Sequence, residues 1–144
     1  MDYFTKERQR QIVDAIREAE LNTSGEIRVH VDKRCRKDVL DRALHVFKKL
    51  KMDKTRQRNG VLLYVAMESR KTAILGDEGV NAVVPPDFWN GIIQKAVGRF
   101  ANGEYAEGIG EAVIAVGEVL KQHFPYRDDD INELPDEISF GDDD

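Results

Sequence analysis

The chain has 144 residues, of which 41% are hydrophobic and 34% are charged, and this length and composition suit a single domain with an apolar core. No apolar run approaches the roughly 20 residues of a membrane span, and the charged N-terminus MDYFTKERQRQ lacks the apolar segment of a signal peptide. A single cysteine, Cys35, excludes an internal disulfide framework. We therefore expect a soluble, monomeric protein of the cytoplasm.

The net charge of −5 is unevenly distributed along the chain. Nine of the 27 acidic residues lie from Asp128 onward, where no Lys or Arg occurs, so residues 1–127 hold 18 acidic against 22 basic residues. The segment RDDDINELPDEISFGDDD has little apolar surface to bury, which is typical of disorder. We predict a folded domain over residues 1–126 and a disordered acidic tail over residues 127–144.

The predicted elements follow one another in the order helix, strand, helix, strand, strand, helix, helix. The first three helices begin after Thr5, Asp38 and Asp87, each of an N-capping residue type. The strands are EIRVHV, VLLYVAM and KTAILG, and the last helix covers residues 105–123. This order predicts an α/β fold, a three-layer α/β/α sandwich around a small mixed sheet.

The first strand has two different faces. Its apolar residues alternate with a polar face that we expect to be only partly covered, formed by Glu26, Arg28, His30 and Asp32. No two histidines of the chain have a zinc-ligand spacing, which disfavours zinc.

Three strand ends should meet at one edge of this sheet. A helix joins strands one and two, so they should run parallel, and the short MESRK turn makes strand three antiparallel. The starts of strands one and two and the end of strand three then share an edge with the loop that carries Asp87. We expect this edge to gather Glu26, Asn59 and the segment GDEGVN, and we also place Glu104 there.

The segment GDEGVN, residues 76–81, sets two carboxylates between two glycines. Calcium takes about six to eight oxygen ligands in irregular geometry, magnesium is stricter, and glycines let backbone carbonyls approach an ion. The residues alone leave open a divalent-metal site or a tight turn with solvated carboxylates. The metal hypothesis takes calcium, or else magnesium, with the ligands Glu26, Asn59, Asp77, Glu78, Asp87 and Glu104.

Basic residues cluster in two segments, KRCRK and KKLKMDKTRQR. Such clusters could bind phosphates or RNA. Aromatic residues do not alternate with the cations and no nucleic-acid motif is present, so solvated loops and helix faces are the favoured interpretation. We expect neither a nucleic acid nor a membrane as a partner.

Several segments in order, SGEIRVHV, RNGVLLYVAMESRKTAILGDEGV, PPDFW and GEYAEGI, resemble the TPM-domain family over about residues 5–125. The resemblance implies an α/β/α sandwich, metal ions, calcium in particular, at the loop edge of some members, and the acid phosphatase activity attributed to plant members. Glu26, Asn59, Asp77 and Glu78 stand at matching positions. Many members carry a signal peptide and a membrane anchor, whereas this chain resembles a soluble, stand-alone branch.

Two functions from different classes follow. The first is a metal-dependent phosphatase acting on phosphomonoesters, with Arg58 helping to bind the phosphate and the catalytic residues unidentified. The alternative is a non-enzymatic, calcium-dependent module that binds a protein partner, favoured by the lack of an evident nucleophile or base. RNA binding through the basic loops is a weaker third hypothesis.

Overall fold

The computed structural model describes residues 3–85, 87–126 and 134–141. Their elements, in chain order, are α1 (Lys6–Glu20), β1 (Glu26–Asp32), α2 (Val39–Lys49), a 3₁₀ turn (Met52–Lys54), β2 (Gly60–Ala66), β3 (Lys71–Gly76), α3 (Glu78–Asn81), α4 (Asn90–Ala101), α5 (Tyr105–His123) and β4 (Ser139–Gly141). None of the helices in the described ranges is long and apolar enough to cross a membrane.

The strands form one mixed sheet in the order β3-β2-β1-β4. Strands β1 and β2 are parallel from the Glu26–Gly60 pair to the Asp32–Ala66 pair, because α2 carries the chain back between them. Strand β3 returns antiparallel to β2 after a short turn. The predicted α/β class, the parallel pair and the hairpin are confirmed.

Two apolar clusters cover the two faces of the sheet. Ile27, Val29 and Val31 of β1 pack with residues of α1, α4 and α5 on one face. Leu62 and Tyr64 of β2 pack with residues of α2 and the 3₁₀ turn on the other. Because β2 contributes to both clusters, its run VLLYVAM is apolar throughout, and the structure has the predicted three α/β/α layers.

Part of the acidic tail is folded onto this body. Strand β4 pairs in parallel with the end of β1, and Leu134 is only 8% exposed. Ile138 packs against the larger core, and the Phe140 ring lies 5.7 Å from that of Phe4. The predicted disorder is therefore wrong for residues 134–141, where apolar residues interrupt the charge, whereas residues 127–133 and 142–144 lie outside the described residues.

Two of the three predicted helix caps are observed. The Thr5 hydroxyl accepts a hydrogen bond from the Arg8 N–H (3.2 Å), and Asp38 accepts from the N–H groups of Leu40 and Asp41. The Asp87 cap is wrong, because residues 87–89 form a turn and α4 begins only after the buried Trp89, without a side-chain cap.

Asp38→Ala should lower the free energy of unfolding by about 1 kcal/mol, because two N–H groups of α2 lose their acceptor. Urea denaturation followed by circular dichroism measures the change. Asp38→Asn is the matched control, since its amide oxygen still accepts, and it should stay within about 0.5 kcal/mol of the parent. Equal losses in the two variants would contradict the capping role.

Candidate functional site

The three strand ends meet at one edge of the sheet, as predicted. The Glu26 N–H donates to the Asn59 carbonyl (3.4 Å), and the Asp77 N–H donates to the Gly60 carbonyl (2.9 Å). The start of β1, the start of β2 and the end of β3 therefore lie side by side. We call residues 24–26, 58–60 and 76–79 the loop edge.

The GDEGVN segment ends β3 and begins the one-turn helix α3. Asp77 caps this turn by accepting from the Glu78 N–H (2.8 Å). The Gly79 N–H donates to the Arg58 carbonyl (2.9 Å), and a Cβ on Gly79 would lie 2.4 Å from the Gln57 carbonyl oxygen. Glycine is required here because the backbones of the two loops touch.

Arg58 holds both carboxylates of this segment. Its Nε and Nη2 atoms donate to the two oxygens of Asp77 (2.7 and 2.9 Å), and Nη1 donates to Glu78 Oε1 (3.2 Å). The hydrogen bond to Asp77 raises the pKa of Arg58 above its ordinary value. Arg58 has a left-handed backbone (φ 52°), a conformation that non-glycine residues seldom adopt and that clusters at functional sites.

Asn59 and Glu26 are buried beside this pair, each 2% exposed. The Asn59 amide donates to the Ser24 hydroxyl (3.4 Å), and its backbone N–H donates to the Thr55 hydroxyl (3.3 Å). Glu26 Oε1 accepts from the Leu134 N–H, which ties the loop edge to the C-terminal segment.

The other two predicted ligands make no described side-chain contact with this cluster. Asp87 is exposed, and no side-chain hydrogen bond or ion pair joins it to the described residues of the loop edge. Placing Glu104 at the loop edge is wrong. It pairs with Arg99 at the start of α5, a helix of 19 residues or about 27 Å, whose other end packs on Gly25.

The donor set of the loop edge has the chemistry of a hard-cation site, since the side chains of Asp77, Glu78 and Asn59 all offer oxygen. Their arrangement differs from that of a formed site. Among the described ranges, no three His, Cys, Asp or Glu side chains are grouped so as to hold a metal ion. A cation at Asp77 would therefore have to compete with Arg58.

A second polar cluster lies on the polar face of β1, the face that is directed toward α2. Asp32 is fully buried and accepts from Arg42 Nε (2.8 Å), Arg42 Nη2 (3.2 Å) and the Tyr64 hydroxyl (2.5 Å). His30 bridges Asp32 (2.7 Å) and the Ser139 hydroxyl (2.8 Å) through its two ring nitrogens. The expectation of a partly covered face is wrong, because all four polar residues of β1 are buried, with partners in α2 and in residues 134–141.

The titration of this cluster follows from its burial and pairing. Burial alone would raise the pKa of Asp32, but the hydrogen bonds from Arg42, Tyr64 and His30 outweigh it and lower that pKa. Burial lowers the pKa of His30, which the hydrogen bond to Asp32 only partly offsets. Burial and then Asp32 raise the pKa of Tyr64. The cluster therefore holds an ionised Asp32–Arg42 pair beside a neutral His30.

A carboxyl pair joins α1 to the C-terminal segment. Glu20 Oε2 accepts from the Ile27 N–H (2.9 Å), and the Glu20 side chain also shares a hydrogen bond with Asp136. Burial, the bond to Asp136 and the nearby Glu26 raise the pKa of Glu20 to about 9.

The alternating run EIRVHVD is the sequence signal for the polar cluster on β1. No local pattern indicates which segments cover its polar face.

Three comparisons relate the chain to known proteins. A family model described as "TPM domain" matches residues 1–119. The solution structure of the BA42 protein from the psychrophilic bacterium Bizionia argentinensis is similar, with 48% identity and a TM-score of 0.87 over 95% of this chain and 94% of that one. The N-terminal domain of a P. gingivalis protein shares the fold, with 22% identity and a TM-score of 0.69 over 85% of this chain and 82% of that one. No curated protein matches.

The matched residues 1–119 contain the whole loop edge and strands β1, β2 and β3. BA42 agrees with the chain in both sequence and fold over nearly its full length. The resemblance inferred from the sequence motifs is thereby confirmed, and this chain belongs to the TPM-domain family.

Proposed function

We propose that the chain is a divalent-cation-dependent phosphomonoesterase whose site is the loop edge. The observation that carries the proposal is the Arg58 guanidinium, held by two carboxylates and 38% exposed. A guanidinium fork is the donor geometry that binds two phosphate oxygens at once. The family model also bears the short name TPM phosphatase, which supports the same reaction class.

The competition for Asp77 links cation binding to phosphate binding. Asp77 and Glu78 would hold the cation, calcium first and magnesium second, which when bound polarises a phosphoryl oxygen and activates water. Once Asp77 no longer pairs with Arg58, the guanidinium is available to phosphate oxygens. Glu26 and Asn59, both buried, fix the backbone positions of the β1 and β2 ends that carry this site.

Asp77→Asn should reduce calcium affinity and the turnover of p-nitrophenyl phosphate by at least about tenfold, because the carboxylate that pairs with Arg58 loses its charge. Arg58→Gln should separate the two roles, with tighter calcium binding but slower turnover. Amide shifts during calcium and magnesium titrations, and hydrolysis with and without chelator, measure both. Glu118→Gln removes an exposed carboxylate of α5 and should change neither.

The outcomes distinguish the two function classes. Saturable shifts at residues 58–60 and 76–81, with turnover abolished by chelator, support the phosphatase. The same shifts without turnover would favour the non-enzymatic, calcium-dependent module that binds a protein partner. A lack of saturable shifts at the loop edge would overturn the site itself.

A further inference from the structure

We propose that a basic pocket beside the loop edge binds the phosphate group of a small anion, and that it does so without a metal ion. The pocket is a cavity of about 450 Å³ between the end of α2, the 3₁₀ turn and the C-terminal segment. Its lining includes four cations and a hydroxyl, Arg28, Lys49, Lys51, Lys54 and Thr55. We call this cavity the basic pocket.

Arg28 is the buried cation of this pocket. It is 7% exposed, and its Nε atom is buried with no hydrogen-bond partner among the described residues. Its Nη2 atom donates one long bond (3.4 Å) to the Glu137 carbonyl. A buried guanidinium has five N–H donors to satisfy, and leaving them without acceptors is costly. An anion in the cavity would supply the missing acceptors.

The rest of the lining adds charge of the same sign. Lys49, Lys51 and Lys54 are exposed around the cavity, and its described lining contains no acidic residue. Lys51 has a left-handed backbone (φ 59°), a strained conformation for a residue with a Cβ. Lys51 directly follows the end of α2, where a left-handed residue commonly ends a helix.

The chemistry favours a compact phosphate over a longer polyanion. Arg28 offers a fork for two oxygens, and the three exposed lysines of the lining suit a tetrahedral group of charge near −2. Leu134 and Pro135 close one wall, and the adjoining Asp136 and Glu137 act electrostatically on Arg28. These two carboxylates would repel an extended nucleic acid. Burial lowers the pKa of Arg28, and a bound anion would oppose that effect.

This inference goes beyond the proposed function and can fail separately from it. The basic pocket contains none of Arg58, Asp77 and Glu78. Thr55 links the two places, since its hydroxyl accepts from the Asn59 N–H. Phosphate binding in chelator tests the pocket, whereas turnover with calcium tests the loop edge.

Inorganic phosphate, titrated into the ¹⁵N-labelled full chain in EDTA at constant ionic strength, should give saturable amide shifts centred on Arg28, Lys51 and Thr55. The double variant Lys49→Gln/Lys54→Gln should weaken binding about tenfold, because two cations are removed. Lys6→Gln removes an exposed cation on α1, at the opposite face of the sheet, and should leave the affinity unchanged.

Lys51→Gly is a second variant that should fold normally, because glycine readily adopts the left-handed backbone of this position. It removes the positive charge of Lys51 without disturbing the backbone. It should keep the native spectrum and weaken phosphate binding about threefold or more. Shifts that do not saturate, shifts that chloride reproduces, or an affinity equal in the parent and both pocket variants would overturn the proposal. Saturable shifts confined to residues 58 and 77–79 would also overturn it and assign the phosphate to the loop edge.

Discussion

Asp32→Ala is expected to lower the free energy of unfolding by about 3–5 kcal/mol, because it removes a fully buried carboxylate and leaves the Arg42 guanidinium, only 11% exposed, without its counter-ion. Arg42 and Tyr64 both donate to Asp32, and His30 shares a further hydrogen bond with it. These groups have little access to water, since Tyr64 and His30 are buried and little of the Arg42 side chain is exposed. A Cβ on Gly141 would lie 2.2 Å from Asp32 Oδ1, which shows how closely the C-terminal strand covers the carboxylate.

Urea denaturation of three variants tests this role. Asp14→Ala replaces an exposed carboxylate of α1 and should change stability by less than about 0.5 kcal/mol. The double variant Asp32→Ala/Arg42→Met should recover part of the loss, because it removes the stranded cation as well. An Asp32→Ala loss below about 1 kcal/mol, or a double variant less stable than the single one, would contradict a buried, paired carboxylate.

The same cluster determines the direction in which stability changes as the pH is lowered. The folded-state pKa of Asp32 is lowered, so its contribution is present above its unfolded-state pKa and disappears as the pH falls. The pKa of His30 is also lowered, so acid favours the unfolded chain, which binds that proton more readily. Both groups therefore make stability fall toward low pH, and Asp32→Ala should flatten the acid limb of the curve.

The body of the fold was predictable because its signals are local. Periodicity gave the helices and strands, and Thr5 and Asp38 are caps that act on the residues next to them. The shared edge followed from one parallel and one antiparallel connection. The predicted cap at Asp87 is wrong because α4 begins three residues later, after Trp89, whose side chain is buried in the core. That burial is a tertiary contact, which the local sequence does not indicate.

The candidate site was only partly predictable because its partners come from distant segments. Glu26, Asn59 and Asp77 do share an edge, but their side chains are engaged by Leu134, Ser24 and Arg58. The largest omission was the docking of residues 134–141, because the acidic composition of this segment obscures its apolar residues Leu134, Ile138 and Phe140. Composition averages over a segment, whereas docking depends on a few apolar side chains and one unpaired strand edge.

Glu20→Gln should stabilise the protein by about 3–5 kcal/mol at pH 8 and have little effect near pH 4.5. Glu20 closes α1, accepts from the Ile27 N–H and shares a hydrogen bond with Asp136. Its pKa is raised from 4.5 to about 9, mainly by burial. Between these values the folded chain holds a proton that the unfolded chain releases, so stability decreases as pH rises. Glutamine keeps an acceptor for Ile27 and a donor toward Asp136, but cannot ionise.

Ionisation of Glu20 should also affect the C-terminal segment, because Asp136 of that segment contacts both Glu20 and Arg17, the latter at 3.7 Å from Nε. This ionisation places a negative charge beside Asp136, where residues 134–141 contact α1. Amide exchange of Ser139–Gly141, compared between parent and variant at each pH, should therefore show greater protection in Glu20→Gln above pH 7. Glu18→Gln, exposed on the same helix, should follow the parent. Parallel stability curves for the parent and Glu20→Gln from pH 5 to 9 would mean that Glu20 is ionised in the folded chain throughout, with no proton linking α1 to the C-terminal strand.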